Sequence, residues 1–240
     1  MKRSLMLLAL SAVAGTAQAR DLNIVGAPTQ SDFRGASEDA IATIEYKPLG
    51  PAEWSGITGF EIAAIGAYVP AKHKQEWKDL TGQDVNELGL VGARVAKGLP
   101  FNFDVAAFYT GVPEYGISIY GAEVRYAILP GSTVMPALAI RGAWDKVSGL
   151  DDFDLHAYTL DASISKGFAI LKPYVGAGYV WGVSEPQGDI ATASGLQKEN
   201  IHKGKFFGGV RISLGLFHVT PEFEQIGSNQ SYNLNVGIHW

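Results

Sequence analysis

The stretch Tyr232-Asn-Leu-Asn-Val-Gly-Ile-His-Trp240 alternates apolar and polar residues without interruption and ends on an aromatic residue. Successive side chains of a β-strand point to opposite faces. The apolar face then carries Tyr232, Leu234, Val236, Ile238 and Trp240, and the polar face carries Asn233, Asn235, Gly237 and His239. Two such faces are typical both of a membrane-spanning β-barrel and of a secreted β-sandwich. The residue patterns of the other strands are needed to distinguish these two architectures.

A strand that ends on a terminal aromatic residue resembles the carboxy-terminal signal of Gram-negative outer-membrane β-barrels. In that class the last strand closes the barrel and is recognised by the assembly machinery. The resemblance therefore implies an assembly signal made of Tyr232, Leu234, Val236, Ile238 and Trp240. It also implies two partners, the outer-membrane lipid and the assembly machinery.

The first residues have the layout of a secretory signal peptide. Lys2 and Arg3 precede an apolar run that ends in Ala17-Gln-Ala19, which predicts a leader over residues 1–19 with cleavage after Ala19. Loss of Lys2 and Arg3 makes the exported chain more acidic than the full sequence, whose net charge is −5. Because phosphate binding requires clustered basic residues, nucleic acid is not an expected partner.

No later stretch provides the roughly 20 consecutive apolar residues of a membrane-spanning helix. An exported chain without such a helix can span a membrane only as a closed barrel, which predicts the cell outer membrane as its location. The chain has no cysteine, so the sheet has to stabilise it without disulfides. The length predicts one domain, with an amino-terminal segment at 20–39 and a barrel over 40–240. Residues 20–39 are predicted to be either a first strand or a segment inside the lumen.

Alternating stretches recur from residue 40 onward, and the first of them covers residues 40–47. Eleven strands are recognisable in total. Because single-chain bacterial barrels have an even number of strands, we expect about 12, with the first at Leu22–Gly26, or ten as the alternative. The expected fold class is an all-β, membrane-spanning, antiparallel up-and-down barrel. Short connections alternate with longer polar ones at 70–86 and 184–203, as periplasmic turns alternate with external loops.

Charged residues within the strands fall on one face, opposite the apolar one. A sandwich would bury them at a cost of several kcal/mol for each unpaired charge, whereas a barrel can turn them toward its lumen. Aromatic residues concentrate near strand ends, as in the interfacial girdles of membrane barrels. Both patterns favour the barrel. The candidates for lining the lumen are Arg94, Asp104, Glu123, Arg125, Arg141, Asp161, Arg211, His218, Glu222 and Glu224.

The charges expected in the lumen are mixed in sign. A selective anion pore would show an excess of Lys and Arg, and a cation pore would show rings of acidic residues. We therefore expect a small channel or uptake protein for small polar solutes. The alternative is a non-conducting structural or surface-adhesion barrel, and a lipid-modifying enzyme is a less favoured third.

Enzymatic chemistry has one candidate group. His218, Glu222 and Glu224 share a strand face and are candidates for general acid–base catalysis. Such a set is more often a structural ion-pair network. No catalytic residue is therefore assigned. The remaining histidines have no ligand spacing that predicts a metal site, and no cofactor is expected.

Several turn sequences carry a further resemblance. They are Glu45-Tyr-Lys-Pro-Leu49, Pro51-Ala-Glu53, Thr58-Gly-Phe60, Lys97-Gly-Leu-Pro100 and Ser165-Lys-Gly-Phe168. Together they resemble a family of uncharacterised proteobacterial outer-membrane proteins, over most of the mature chain. The resemblance implies a barrel in the outer membrane. Because that family has no established catalytic or binding residue, it implies no activity.

Overall fold

The computed structural model describes residues 28–112, 117–132, 134–150, 153–188, 191 and 194–240. The predicted leader at 1–19 and the proposed strand at Leu22–Gly26 lie outside the described residues. The elements in chain order are α1 (Gln30–Ile44), β1 (Phe60–Pro70), α2 (Lys74–Thr81), β2 (Glu87–Gly98), β3 (Phe103–Val112), β4 (Ile117–Pro130), β5 (Ala137–Ser148), β6 (Phe153–Ser165), β7 (Leu171–Pro186), β8 (Glu199–Leu214), β9 (Phe217–Ile226) and β10 (Asn229–His239).

The strands form a closed antiparallel barrel in which sequence neighbours pair and β10 pairs with β1. The seam runs from Glu61 opposite His239 to Tyr68 opposite Tyr232. The last strand therefore closes the barrel, and its apolar side chains point outward while its asparagines are buried inside. The predicted all-β antiparallel barrel is confirmed. Its described strands number ten, the alternative, and not about 12.

The two ends of the barrel differ in their connections. The short-turn end carries the links at 99–102, 131–136, 166–170 and 215–216, together with the start of β1 and the end of β10. At the opposite end, β1 is joined to β2 by a long connection that contains α2. We call this the long-loop end. The predicted alternation of tight turns with longer loops is thus present in the structure.

Residues 40–47 do not begin a strand, and this part of the prediction is wrong. α1 continues to Ile44, and the chain then runs without a sheet partner to Phe60. The helix starts at a capping box, in which Thr29 accepts from the Asp32 amide and Asp32 accepts from the Thr29 amide. The alternation was misleading because residues 41–50 are all buried, so polarity does not distinguish an inner from an outer face there.

Residues 28–59, which we call the plug, run through the barrel from the long-loop end to the short-turn end. Near the first, the Gln30 side chain donates to the Gln197 carbonyl at 3.0 Å, just before β8. Near the second, the Trp54 indole donates to the Leu99 carbonyl at 3.1 Å in the turn after β2. The barrel is therefore filled by the chain that precedes its first strand.

The outer face of the wall is apolar and carries two aromatic bands. Phe60 contacts Trp240 in the band at the short-turn end, and Tyr68 faces Tyr232 in the band at the long-loop end. Phe60 and Tyr68 lie eight residues apart on β1, which is about 20 Å along the barrel axis for tilted strands. Between the bands, the outward positions of the described strands carry no Asp, Glu, Lys or Arg.

The outward apolar side chains include Ile62, Val91, Val95, Val124, Ile140, Leu160, Ile164, Val175, Val219, Leu234 and Val236. Among the helices of the described ranges, none is long and apolar enough to cross a membrane.

Candidate functional site

All ten residues expected to line the lumen lie on the inner face of the wall. Arg125 and Arg211 are partly buried. The other eight expose 5% of their surface or less, and they are Arg94, Asp104, Glu123, Arg141, Asp161, His218, Glu222 and Glu224. They face the plug and one another, and do not line an open space.

Arg94 on β2 connects three wall strands with the plug. Its guanidinium pairs with Glu61 on β1 at 2.5 Å and with Glu123 on β4 at 2.8 Å. Its Nε donates to the hydroxyl of Tyr46, in the plug, at 2.9 Å. The donors of this buried arginine are thus used by two carboxylates and one phenol.

Two further ion pairs join neighbouring strands. Arg141 on β5 pairs with Asp161 on β6 at 2.6 Å, and Arg125 on β4 pairs with Asp104 on β3 at 3.0 Å. The Arg141 guanidinium also lies over the Tyr46 ring, 5.6 Å from its centroid. Inner-face charges on adjacent strands therefore compensate each other across the sheet.

Four charges meet at the centre of the barrel. Lys205 pairs with Glu45 at 2.7 Å and with Glu224 at 2.8 Å. Lys47 pairs with the same two carboxylates, at 2.9 and 2.8 Å respectively. We call Glu45, Lys47, Lys205 and Glu224 the central charge cluster. Its two plug residues and two wall residues alternate in sign, which is the arrangement that makes buried charges tolerable.

Wall side chains also bind the backbone of the plug. Glu222 accepts from the Leu49 amide at 2.9 Å, while the Leu49 carbonyl accepts from Arg211 at 3.2 Å and from Asn235 at 3.0 Å. Buried peptide groups outside helices and sheets need such partners. The polar inner face therefore replaces the hydrogen bonds that a sheet would have provided.

The same pattern continues toward the short-turn end. Arg125 donates to the Pro51 carbonyl at 2.7 Å and to the Glu53 carbonyl at 3.2 Å. Asp104 accepts from the Ser55 amide at 3.1 Å. Arg125 and Asp104 thus form an ion pair and also hold the plug backbone.

The helical part of the plug packs through apolar contacts. Phe33 stacks on Phe153 of β6, with ring centroids 5.6 Å apart. Ile41 lies against Gly182 of β7, where an added Cβ would come within 2.5 Å of the isoleucine side chain. Because glycine leaves this space free, α1 approaches the wall closely.

Asp39 attaches α1 to the elements around it at the long-loop end. Its carboxylate is fully buried and accepts from the amides of Lys72 and His73, at 3.0 and 2.9 Å. It also accepts from the Trp77 indole at 3.2 Å and from the Asn229 side chain at 2.6 Å. One carboxylate of the plug therefore binds the β1–α2 connection, α2 and the start of β10.

The hypothesised acid–base group is not assembled. His218 contacts Asn235 at 3.1 Å, and Glu222 accepts from the Tyr174 hydroxyl at 2.7 Å. Glu224 pairs with the lysines of the central charge cluster. The three side chains share a face but have separate partners. In the part of the chain that the structure describes, no three His, Cys, Asp or Glu residues are arranged to hold a metal ion.

Two contributions to the interior were missed from sequence. Lys205 is absent from the predicted set of lumen-lining residues, although it lies on the inward side of β8, on the same face as Arg211. Glu45 and Lys47 were expected on a wall strand and lie in the plug. Pro48 and Pro51 are the nearest signal, because a residue without an N–H weakens a sheet ladder, although β7 and β9 accommodate Pro173 and Pro221.

Little free space remains between the plug and the wall. A cavity of about 20 Å³ lies beside Leu49, Ile65, Arg94 and Phe108, which is room for a single water molecule. Inner-wall side chains in the middle of the barrel, such as Arg94, Lys205 and Glu224, are almost completely buried, which an open aqueous path beside them would prevent. In this conformation the interior of the barrel is closed, and the charges inside it are buried against the plug.

Comparisons with known proteins leave the family open. No known family model matches the chain. The phenylalanine–tRNA ligase beta subunit of Methanosarcina acetivorans is 25% identical over 167 residues, 67% of this chain and 28% of that protein. The chain thus spans little more than a quarter of that relative, which assigns it no activity.

Two solved structures show some similarity to this barrel. The amino-terminal β-barrel domain of Pseudomonas aeruginosa OprF is 14% identical, covers 77% of this chain and 99% of its own, and has a TM-score of 0.38. The KdgM porin, in complex with disordered oligogalacturonate, is 6% identical, covers 75% of this chain and 98% of its own, and has a TM-score of 0.39. At these scores neither likeness assigns a function.

Proposed function

We propose that this protein is an integral barrel of the Gram-negative outer membrane, closed at rest by its own plug. Membrane placement is supported by the uncharged outer face between two aromatic bands, separated by about 20 Å, close to the roughly 25 Å apolar band of such barrels. A soluble protein would expose that whole surface to water, and contiguous apolar patches of this extent are rare in soluble monomers. The leader predicted over residues 1–19 and the alternating apolar pattern of Tyr232–Trp240 also support this placement.

The observation that carries the closed state is the seating of the plug. Residues 41–50 are all buried, and their charges and peptide groups are matched by wall side chains such as Lys205, Glu222 and Glu224. An ion crossing the barrel would have to break these contacts. The function that the geometry supports best is therefore a non-conducting structural or surface barrel, and not a steadily open pore.

A channel or uptake protein for small polar solutes is the second candidate. One observation favours it. Between Leu49 and Ser55, wall side chains hold the plug backbone through hydrogen bonds, which water can replace if the plug moves. Conduction would then require displacement of this segment.

Membrane placement is tested by paired lysine substitutions on the outer face. Val124→Lys lies midway between the aromatic bands, while Ser148→Lys lies outward at the end of β5 near the long-loop end. In a bilayer Val124→Lys should cost about 2–4 kcal/mol and Ser148→Lys about 0–1 kcal/mol, measured by urea unfolding in lipid vesicles. Similar small costs for both would contradict membrane placement, since exposed lysines are tolerated in water.

The closed state is tested by conductance in planar bilayers. Wild-type protein should give no steady current, and a steady current would overturn the proposal. The Ser37 and Ser184 hydroxyls lie 2.9 Å apart, so Ser37→Cys/Ser184→Cys can lock α1 to β7 by a disulfide in a chain without other cysteines. Openings seen only after reduction, and also in the single-cysteine controls, would favour the gated channel. Silence in every form would favour the non-conducting barrel.

A further inference from the structure

The turns of the short-turn end expose large apolar side chains at their tips. Phe101 follows β2 and is 85% exposed, and Val134 follows β4 and is also 85% exposed. Phe168 follows β6 and Leu216 follows β8, with 59% and 58% exposed. All four short turns thus present a large apolar residue, below the aromatic band at that end.

The backbone of these turns strengthens the observation. Phe101 has a φ of +62°, a left-handed conformation that is uncommon for a bulky residue. Glycine or asparagine would relieve the strain and would also suit contact with water. The hairpin between β9 and β10, at the long-loop end, uses Gly227-Ser228 instead. An apolar tip is therefore not a requirement of a short hairpin in this barrel.

The distribution of the four tips around the barrel indicates which kind of partner covers them. They belong to alternate hairpins of a closed ring of strands, so they are distributed around the whole circumference. A protein partner would dock on one side and leave the others in water, whereas a bilayer surrounds the barrel and can cover every tip. At the Leu216 turn the tip continues the apolar outer face directly, since the nearby Leu214 and Phe217 are also exposed.

We propose that the four short turns dip into the inner leaflet of the outer membrane, where phospholipid covers Phe101, Val134, Phe168 and Leu216. This inference rests on the membrane placement proposed above. Its consequence is that the short-turn end is embedded in the lipid interface and does not project into water, while the plugged, polar long-loop end is exposed. The ligand at this surface is phospholipid, contacted at the boundary between its headgroups and acyl chains.

The test uses two hairpins of matching geometry. Gly215-Leu216 and Gly227-Ser228 are both two-residue links that begin with a glycine of positive φ, at opposite ends of the barrel. Leu216→Cys and Ser228→Cys each receive an environment-sensitive fluorophore, since the chain has no native cysteine. Val124→Cys serves as the label for the middle of the outer face. Each protein is refolded into phosphatidylcholine–phosphatidylglycerol vesicles, with iodide on both sides or with nitroxide-bearing lipid.

The label at Leu216 should be quenched by nitroxide-bearing lipid, and its quenching by iodide should be several-fold weaker than that at Ser228. Equal quenching of both labels by iodide, with Val124 still quenched by lipid, would overturn the inference while leaving membrane placement intact. Iodide quenching of the Val124 label would instead overturn the membrane placement itself. A label at Phe168→Cys should give the same result as the label at Leu216→Cys, since the proposal concerns all four short turns and not one of them.

Discussion

The helical half of the plug, α1, and its extended half, residues 45–59, lie in the same barrel but are held by different contacts. α1 buries Phe33 and Ile41 against apolar wall residues and a glycine. The extended half is held by ion pairs and by hydrogen bonds from wall side chains to its backbone. A helix satisfies its own peptide groups, whereas an extended chain without a strand partner cannot. The wall accordingly gives the helix an apolar contact surface as well as side-chain partners such as Lys203 and Asn229, whereas beside the extended segment it supplies charges and hydrogen bonds to the backbone.

The difference explains why the inner charges are mixed in sign. Arg94 has specific partners in Glu61, Glu123 and Tyr46, and most other wall charges likewise pair with the plug or with a nearby strand. A pore selects ions by an excess of one sign. An interior built to hold a segment of chain needs both signs, because it has to match amides, carbonyls, carboxylates and ammonium groups.

Replacing Lys205 should have the largest effect. Lys205→Met removes a cation that two buried carboxylates, Glu45 and Glu224, share. Breaking a buried pair from one side typically costs about 3–5 kcal/mol, because it leaves uncompensated charge. The loss is measured as the free energy of unfolding in urea, in vesicles or micelles.

Lys203→Met is the matched control for Lys205→Met. It lies two residues away on the same strand and pairs with Glu38 at 2.8 Å, but its side chain is 27% exposed. Glu38 is 12% exposed but keeps Arg34 as a second partner at 3.6 Å, so its charge stays compensated and the expected cost is about 0–1 kcal/mol. Equal costs for the two variants would contradict a dry central charge cluster.

Truncating Ile41 should have the next largest effect, on the helical half. Ile41→Ala removes a side chain that is 1% exposed and should cost about 2–5 kcal/mol, while Ile41→Val should cost about 0.5–1.5 kcal/mol. Gly182→Val fills the same space from the wall side and should cost about 1–3 kcal/mol by overpacking. If neither Ile41→Ala nor Gly182→Val lowered the unfolding free energy, α1 would not be packed against β7.

The sequence predicted the wall far better than the plug. Residues such as Val236 and Asn235 alternate because one faces outward and the other inward, and a pattern of period two reports that difference. Residues 41–50 are enclosed on all sides, so their alternation carried no such information and was misinterpreted as a strand. The inward position of Arg94 was predictable, but its partner Tyr46 was not. That contact depends on how deep the plug is seated, which no local pattern encodes.

Removing the cap of α1 should have a smaller effect than truncating its core. Thr29→Ala eliminates the side chain that accepts from the Asp32 amide, and such caps contribute typically about 1 kcal/mol. Thr29→Ser keeps the hydroxyl and should stay close to wild type. The readout is amide exchange in the first turn of α1 together with the unfolding free energy. A loss in Thr29→Ser as large as in Thr29→Ala would show that the hydroxyl is not the stabilising group.

The smallest effect is expected where the extended half reaches the short-turn end. There Lys172 on β7 pairs with Glu53 of the plug, but the side chains are 31% and 37% exposed. Water and salt screen such a pair, so Lys172→Gln, Glu53→Gln and the double variant should define a coupling of about 0–1 kcal/mol that weakens with added salt. A coupling as large as that of a buried pair, insensitive to salt, would mean that water is excluded at this end too. The polar attachment of the plug would then be as dry near its exit as it is beside Lys205, and hydration could not release it from that end.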